Sequence, residues 1–364
     1  MTTYLMAGGG TAGHVNPLIA VADRLRQRDP SAQILVLGTK EGLEARLVPE
    51  RGYELLTIPR LPFPRRPGRA ALSFPKQFRA SIDRTREYLR ERSVDVVVGF
   101  GGYASAPAYV AAHREGVPIA IHEANAKPGI ANRLGARYTK HVGVAFRGTR
   151  LHGATWVGQP LRVEIERIDR FSARREGLSH FGLDESKPTL LVTGGSSGAK
   201  RINDTIAQSI ATILGTGWQV IHVAGAFRDE APPSQLPGYV VRQYIDRIDL
   251  ALAVADLSIG RAGTSTVAEL TALGIPAVFV PYASGNGEQR LNAREAVAAG
   301  GAIVVRDADF TPDWVARELV PLLSSRARIA DMAARMATVG ALDGSDRMAD
   351  LVERAAADGA SRRT

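Results

Sequence analysis

His14 and Glu123 are the two side chains of the first half that can take a proton from a hydroxyl while sitting just past a short β-branched run. His14 follows Gly8-Gly9-Gly10-Thr11-Ala12-Gly13, and Glu123 lies within His122-Glu123-Ala124-Asn125. A general base at such a place contributes about 10² to 10⁴ in rate. Each also has a plainer reading, His14 as a cap of its helix and Glu123 as an acceptor for loop N–H groups. In the second half, polar groups gather in Gly194-Gly195-Ser196-Ser197-Gly198, in Gly260 to Thr266 and in Tyr282 to Gln289. Glycines let backbone N–H groups approach an anion closely, and a following helix N-terminus adds partial positive charge, so repeated loops of this kind suit a diphosphate. Glu269, one turn inside a helix opened by Thr264, Ser265 and Thr266, is placed to accept both hydroxyls of a ribose.

Three rival chemistries are weaker. Gly8, Gly10 and Gly13 match the G-x-G-x-x-G of a nicotinamide site. That reading wants an acid closing the second strand, and Leu35-Val36-Leu37-Gly38-Thr39 supplies none. No G-x-x-x-x-G-K-[ST] occurs, which argues against ATP hydrolysis. Asp307-Ala308-Asp309 has the form of a D-x-D metal site, yet it runs into Phe310-Thr311-Pro312-Asp313 and reads as a helix-capping loop. No metal and no cofactor is expected.

The elements that must hold these groups follow a βαβ rhythm. Tyr4-Leu5-Met6, Ile34 to Leu37, Val94 to Val98 and Val117 to Ile121 read as strands of a parallel sheet. Leu18, Val21, Ala22 and Leu25 recur at i, i+3, i+4 and i+7 between the first two, one apolar face of a helix. The rhythm restarts with Thr189 to Thr193, Trp218 to Val223, Tyr239 to Val241, Asp256 to Ile259 and Ala277 to Val280. The chain of 364 residues is therefore read as α/β with two doubly wound Rossmann-like domains facing a cleft, residues 1–163 and 164–340. Residues 341–364 form a C-terminal helix returning to the first domain.

Composition sets the outer bounds. With 45% hydrophobic and 23% charged residues the chain is of ordinary globular type, and without cysteine it has no thiolate chemistry and no disulfides. The N-terminus does not read as a signal peptide, and no run of about 18 apolar residues is available to span a membrane. The net charge of +9 favours an anionic partner. Nucleic acid is disfavoured by the 6% aromatic content and the absence of a binding motif. Between Glu54 and Asp83 there is no acid, while Arg60, Arg65, Arg66, Arg69, Lys76 and Arg79 interleave with Leu61, Phe63, Leu72, Phe74 and Phe78. That pattern suits an anionic membrane surface.

Taken together, Gly9 to Val15, Gly101-Gly102-Tyr103, His122 to Asn125, Gly194 to Ala199, Arg261 to Glu269 and Glu288 to Ala293 resemble the MurG family of GT-B glycosyltransferases over almost the whole chain. The resemblance implies inverting transfer of N-acetylglucosamine from UDP-GlcNAc to the 4-hydroxyl of the muramyl sugar of lipid I, giving lipid II for peptidoglycan. It implies donor contacts from Ser196, Ile245, Thr264, Ser265, Thr266, Glu269 and Gln289, with Arg162, Asn125, Thr11, Ala12 and Gly13 completing the cleft. His14 is carried over first as the base and Glu123 second. It further implies a peripheral enzyme at the cytoplasmic face of the cell membrane, with cell-wall synthesis and division proteins as partners. The chain departs from the family pattern at Ala124, Ser197 and Glu288.

Overall fold

The computed structural model describes residues 1–64, 69–194, 199–225, 236–282 and 287–361, without the side chains of residues 69–71. The chain divides into two compact units, residues 1–162 with 343–364, and residues 163–342.

The first unit holds seven strands: β1 Thr3–Ala7, β2 Gln33–Gly38, β3 Glu54–Thr57, β4 Val96–Gly99, β5 Ile119–Glu123, β6 His141–Val144 and β7 Ala154–Trp156. They form one parallel sheet in the order β3-β2-β1-β4-β5-β6-β7. The central strands are buried on both faces, so their sequences are mainly apolar with no alternation of exposed polar residues. The helix Ala12–Arg28 buries Val15, Leu18, Val21, Ala22 and Leu25 against this sheet. The C-terminal helix Gly344–Ala360 sets Met348, Leu351, Val352 and Ala355 into the same core. Arg28 fastens it, donating to Asp346, Asp350 and Glu353 at 2.7–2.9 Å.

The second unit holds β8 Thr189–Thr193, β9 Gln219–Val223, β10 Tyr239–Arg242, β11 Leu257–Gly260, β12 Ala277–Phe279 and β13 Ala302–Val304. They too are parallel, in the order β10-β9-β8-β11-β12-β13. Its core is continuous around Ile202, Ile206, Ile210, Val220, Ile259 and Phe310.

Several elements differ from the sequence reading. β3, β6, β7 and β13 add four strands. β3 and β7 are short and carry exposed positions at the sheet edges, and such strands leave little hydrophobic signal. Early in the second unit lies the helix Arg170–Phe181, packed on the helix Ile248–Val254, an element that the strand rhythm of the sequence does not mark. The helices Arg326–Met336 and Gly344–Ala360, close in the chain, belong to the second and the first unit respectively.

Candidate active site

In each sheet the strand order reverses beside the first strand of the unit, between β1 and β4 and between β8 and β11. Loops leaving the carboxyl ends of such a pair diverge and leave a crevice there.

In the first unit these loops are Gly8–Thr11 and Phe100–Tyr103. They close on one another without side chains: a Cβ on Gly102, whose φ is +81°, would lie 2.5 Å from the Gly9 carbonyl oxygen. Thr11 is the extended residue before the helix Ala12–Arg28, and its side chain makes no cap bond. Its Oγ1 instead lies 3.2 Å from Nδ1 of His14. His14 is half-buried, and its ring packs over Gly101, where a Cβ would come 3.2 Å from Cδ2 and Nε2. The tautomer with Nδ1–H donating to Thr11 puts the proton-accepting lone pair on Nε2. Ala12 and Gly13, half-buried, begin the helix, where backbone N–H groups have no intrahelical acceptor.

Glu123 ends β5 and is 3% exposed. Its Oε1 accepts from the Asn125 N–H at 2.9 Å. Its Oε2 accepts from the Gly129 N–H at 2.9 Å and from Asn132 Nδ2 at 3.0 Å. Burial pushes its carboxyl above the usual carboxylate range, against the opposing pull of these donors. Asn132 ties the cluster together. Its Nδ2 also reaches the His122 carbonyl, and its Oδ1 accepts from the Tyr109 hydroxyl at 2.7 Å. The Tyr109 phenol is fully buried between Gly99 and Gly135, where any Cβ would collide with the ring, and burial raises its pKa. Asn125 is half-buried, and its carbonyl accepts from Thr149.

His122 is wholly buried, with Nε2 3.1 Å from the Gly158 carbonyl, so Nε2 carries the proton. Burial, with a smaller contribution from His14, pushes its pKa down from 6.5 to about 4. The unfolded chain therefore takes up a proton near pH 6.5 that the folded chain refuses until about pH 4, and stability falls as pH drops through that window. At about 1.4 kcal/mol per pH unit the loss is on the order of 3 kcal/mol. Urea unfolding at pH 7 and pH 4.5 should show this drop in the wild type, and His122→Gln, which keeps a donor for Gly158 but does not titrate, should show a visibly smaller one.

In the second unit the loop after β8 runs through Gly195–Gly198, so Ser196 and Ser197 lie outside the described residues. After β11, Arg261 donates through Nη1 to the Val280 carbonyl at 2.8 Å and to Asp307 Oδ1. It thereby locks the loop after β12 to the one after β13. Asp307 is thus the partner of Arg261, Asp309 pairs with Arg306, and Thr311 caps the helix that follows by accepting from the Trp314 N–H. The helix Thr264–Ala272 buries Thr264, Val267, Leu270 and Thr271. Ser265, Thr266 and Glu269 occupy its half-exposed side, where Glu269 lies four residues after Ser265 and three after Thr266. Gln289 is set beside this helix through Asn292, whose Nδ2 lies 3.3 Å from the Ala262 carbonyl and 3.4 Å from Thr264 Oγ1. The Gln289 side-chain carbonyl accepts the Tyr282 N–H at 2.9 Å, which fixes the orientation of its amide. Ile245 lies half-buried in the loop after β10, and Arg162, half-buried, closes the first unit.

The basic, aromatic stretch is partly described. Phe63 leans on Phe74 at 47° with ring centroids 4.8 Å apart, and Phe74 stacks on Phe78 at 5.5 Å. Leu72 is 84% exposed, and with Lys76 and Arg79, both exposed, it follows i, i+4, i+7 spacing on the helix Arg69–Glu91. Arg60 stands instead over the Tyr103 ring at 5.3 Å. Arg65, Arg66 and the Arg69 side chain lie outside the described residues.

Comparison with known proteins decides the family. Residues 4–144 match the glycosyltransferase family 28 N-terminal domain, and residues 189–348 match the family 28 C-terminal domain. The chain is 60% identical to the UDP-N-acetylglucosamine--N-acetylmuramyl-(pentapeptide) pyrophosphoryl-undecaprenol N-acetylglucosamine transferase of Leifsonia xyli subsp. xyli, over 97% of this chain and 98% of that one. It is 58% identical to the protein of the same name from Clavibacter sepedonicus, over 100% and 99% of the two chains. The chain belongs to the MurG family. The crystal structure of Acinetobacter baumannii MurG superposes with a TM-score of 0.80 at 27% identity, covering 97% of this chain and all of that one. The two doubly wound parallel sheets are those of the GT-B fold on which the MurG family is built. Sequence reasoning missed Glu44, Tyr109 and Asn132 in the first unit and Arg261 and Asn292 as loop holders in the second. For Glu44 the signal available in the sequence was the pair Gly38 and Gly42 just before it.

Proposed function

We propose that this chain transfers N-acetylglucosamine from UDP-N-acetylglucosamine to the 4-hydroxyl of the muramyl sugar of lipid I, with inversion, forming lipid II. The observation that carries the reading is a chain whose relatives, matched end to end, bear one transferase name, folded as two parallel sheets that each reverse strand order beside their first strand. The acceptor oxygen attacks the anomeric carbon from the face opposite the leaving group as its proton passes to Nε2 of His14. The bond to the diphosphate breaks, and UDP departs carrying the electron pair. Helix N-termini, the one at Thr264 among them, offset the charge that develops on the diphosphate. Glu269 holds the ribose, and the Gln289 amide and Ser265 and Thr266 hydroxyls supply donors to the nucleotide sugar. Glu123, with both oxygens engaged by Asn125, Gly129 and Asn132, positions the loop that carries Asn125.

The test is UDP release by the purified protein from UDP-N-acetylglucosamine with and without a lipid I analogue. Release that requires both substrates is the expected result. Release from a different nucleotide sugar alone would keep the fold reading and remove the donor assignment.

Among the described residues no helix is long and apolar enough to cross a membrane. We infer that the protein meets its lipid-borne acceptor peripherally at the cytoplasmic face, through Leu72, Lys76, Arg79 and the Phe63 end of the aromatic cluster. Each cation near an anionic leaflet contributes about 1 kcal/mol. Lys76→Glu with Arg79→Glu should therefore weaken partitioning onto phosphatidylglycerol vesicles about 30-fold or more in a flotation assay. Raising salt should weaken wild-type binding in the same direction, and indifference to lipid charge would remove this surface.

A further inference from the structure

The glycine turn of the first unit already contains an anion, and it comes from the chain itself. Glu44, at the start of the helix Glu44–Glu50, has no exposed surface. Its Oε2 accepts the Gly10 N–H at 2.7 Å. Its Oε1 accepts the Thr39 N–H at 2.9 Å and the Thr39 hydroxyl at 2.8 Å. Three glycines make the room: a Cβ on Gly9, Gly38 or Gly42 would come within 2.3, 2.5 or 2.0 Å of a Glu44 side-chain atom. A backbone concavity of this kind binds a carboxylate as it would a phosphate. Here the Gly10 amide is committed to Glu44 and is withdrawn from any substrate anion. Gly10 immediately precedes Thr11, whose hydroxyl lies 3.2 Å from His14 Nδ1. The carboxylate therefore sets the point from which the His14 helix departs.

We propose that Glu44 is a positioning residue of the transfer reaction, holding the Gly10–Thr11 turn so that His14 is presented to the acceptor hydroxyl. This rests on the function proposed above. Glu44→Gln is the informative change because it keeps the shape. Its carbonyl goes to the two Thr39 donors, its NH₂ then faces the Gly10 N–H, donor against donor, and Gly10 alone is released.

The experiment is a double-mutant cycle on lipid I-dependent UDP release with wild type, Glu44→Gln, His14→Ala and the double variant, alongside UDP titration by calorimetry. In the wild-type background Glu44→Gln should lower kcat about 30-fold while UDP binds with unchanged stoichiometry and affinity within about twofold. In the His14→Ala background the same substitution should change kcat less than about threefold, because the group it positions is gone. Equal losses in both backgrounds, or a kcat loss matched by lost UDP-binding stoichiometry, would show a purely structural acid and overturn the proposal. An active wild type with an unaffected Glu44→Gln protein overturns the role of Glu44 alone. A wild type without acceptor-dependent release overturns the reaction reading and the positioning role together.

Discussion

His14→Ala should lower kcat by about 10² to 10³-fold and leave UDP affinity unchanged. The imidazole lies over Gly101 with Nδ1 engaged by Thr11, so its removal takes away the proposed proton acceptor without opening a core. A second route to the same defect is Gly101→Ala. Gly101 has φ of +87°, a conformation strained for alanine, and the added Cβ would stand 3.2 Å from the His14 ring. That variant should lose kcat in the same direction, with the ring displaced instead of deleted. Near-normal turnover of purified His14→Ala would move the base elsewhere in the loop cluster. Glu123 would then have to give up at least one of its donors in order to serve.

Glu269→Ala should raise the donor KM roughly a hundredfold or more, with UDP affinity falling in parallel. A carboxylate that accepts from two ribose hydroxyls makes charge-assisted bonds of about 1.5 to 3 kcal/mol each. Both are lost together, while the buried side of the helix, Thr264, Val267, Leu270 and Thr271, is untouched. The decisive comparison uses a 2′-deoxyribose donor. It should bind weakly to the wild type, and the additional loss on Glu269→Ala should be much smaller than with the ribose donor, because one of the partners is already absent. A donor KM within twofold of wild type would take Glu269 out of the nucleotide site.

Some of this site was legible before any fold was known. Gly8 to Gly13, Gly99 to Tyr103 and Gly260 to Thr266 each follow a buried hydrophobic run, and the run, the glycines and the helix after them are contiguous in the chain. Local pattern is enough to recognise a strand–turn–helix unit, because its parts are neighbours in sequence. Glu44 and Asn132 could not be found in that way. Glu44 meets a glycine amide 34 residues earlier, and Asn132 meets Tyr109 23 residues before it. Tyr109 sits in an alanine-rich helix where an aromatic reads as core filling, yet its hydroxyl completes a polar chain through Asn132 to Glu123.

The acids show where the boundary lies. Glu123 and Glu269 stand out in the sequence within motifs of the family, whereas Glu44 does not. Which acid accepts from what was decided by the tertiary structure. Glu44, Glu123 and Asp307 accept from backbone amides, an asparagine and an arginine that lie elsewhere in the chain. Two doubly wound units, their glycine turns and the reaction class of the family could be read from local residue pattern alone. Only the packed structure assigned the carboxylates. The physical reason is that a buried carboxylate must be satisfied by donors, and those donors come from segments that only the folded sheet brings side by side.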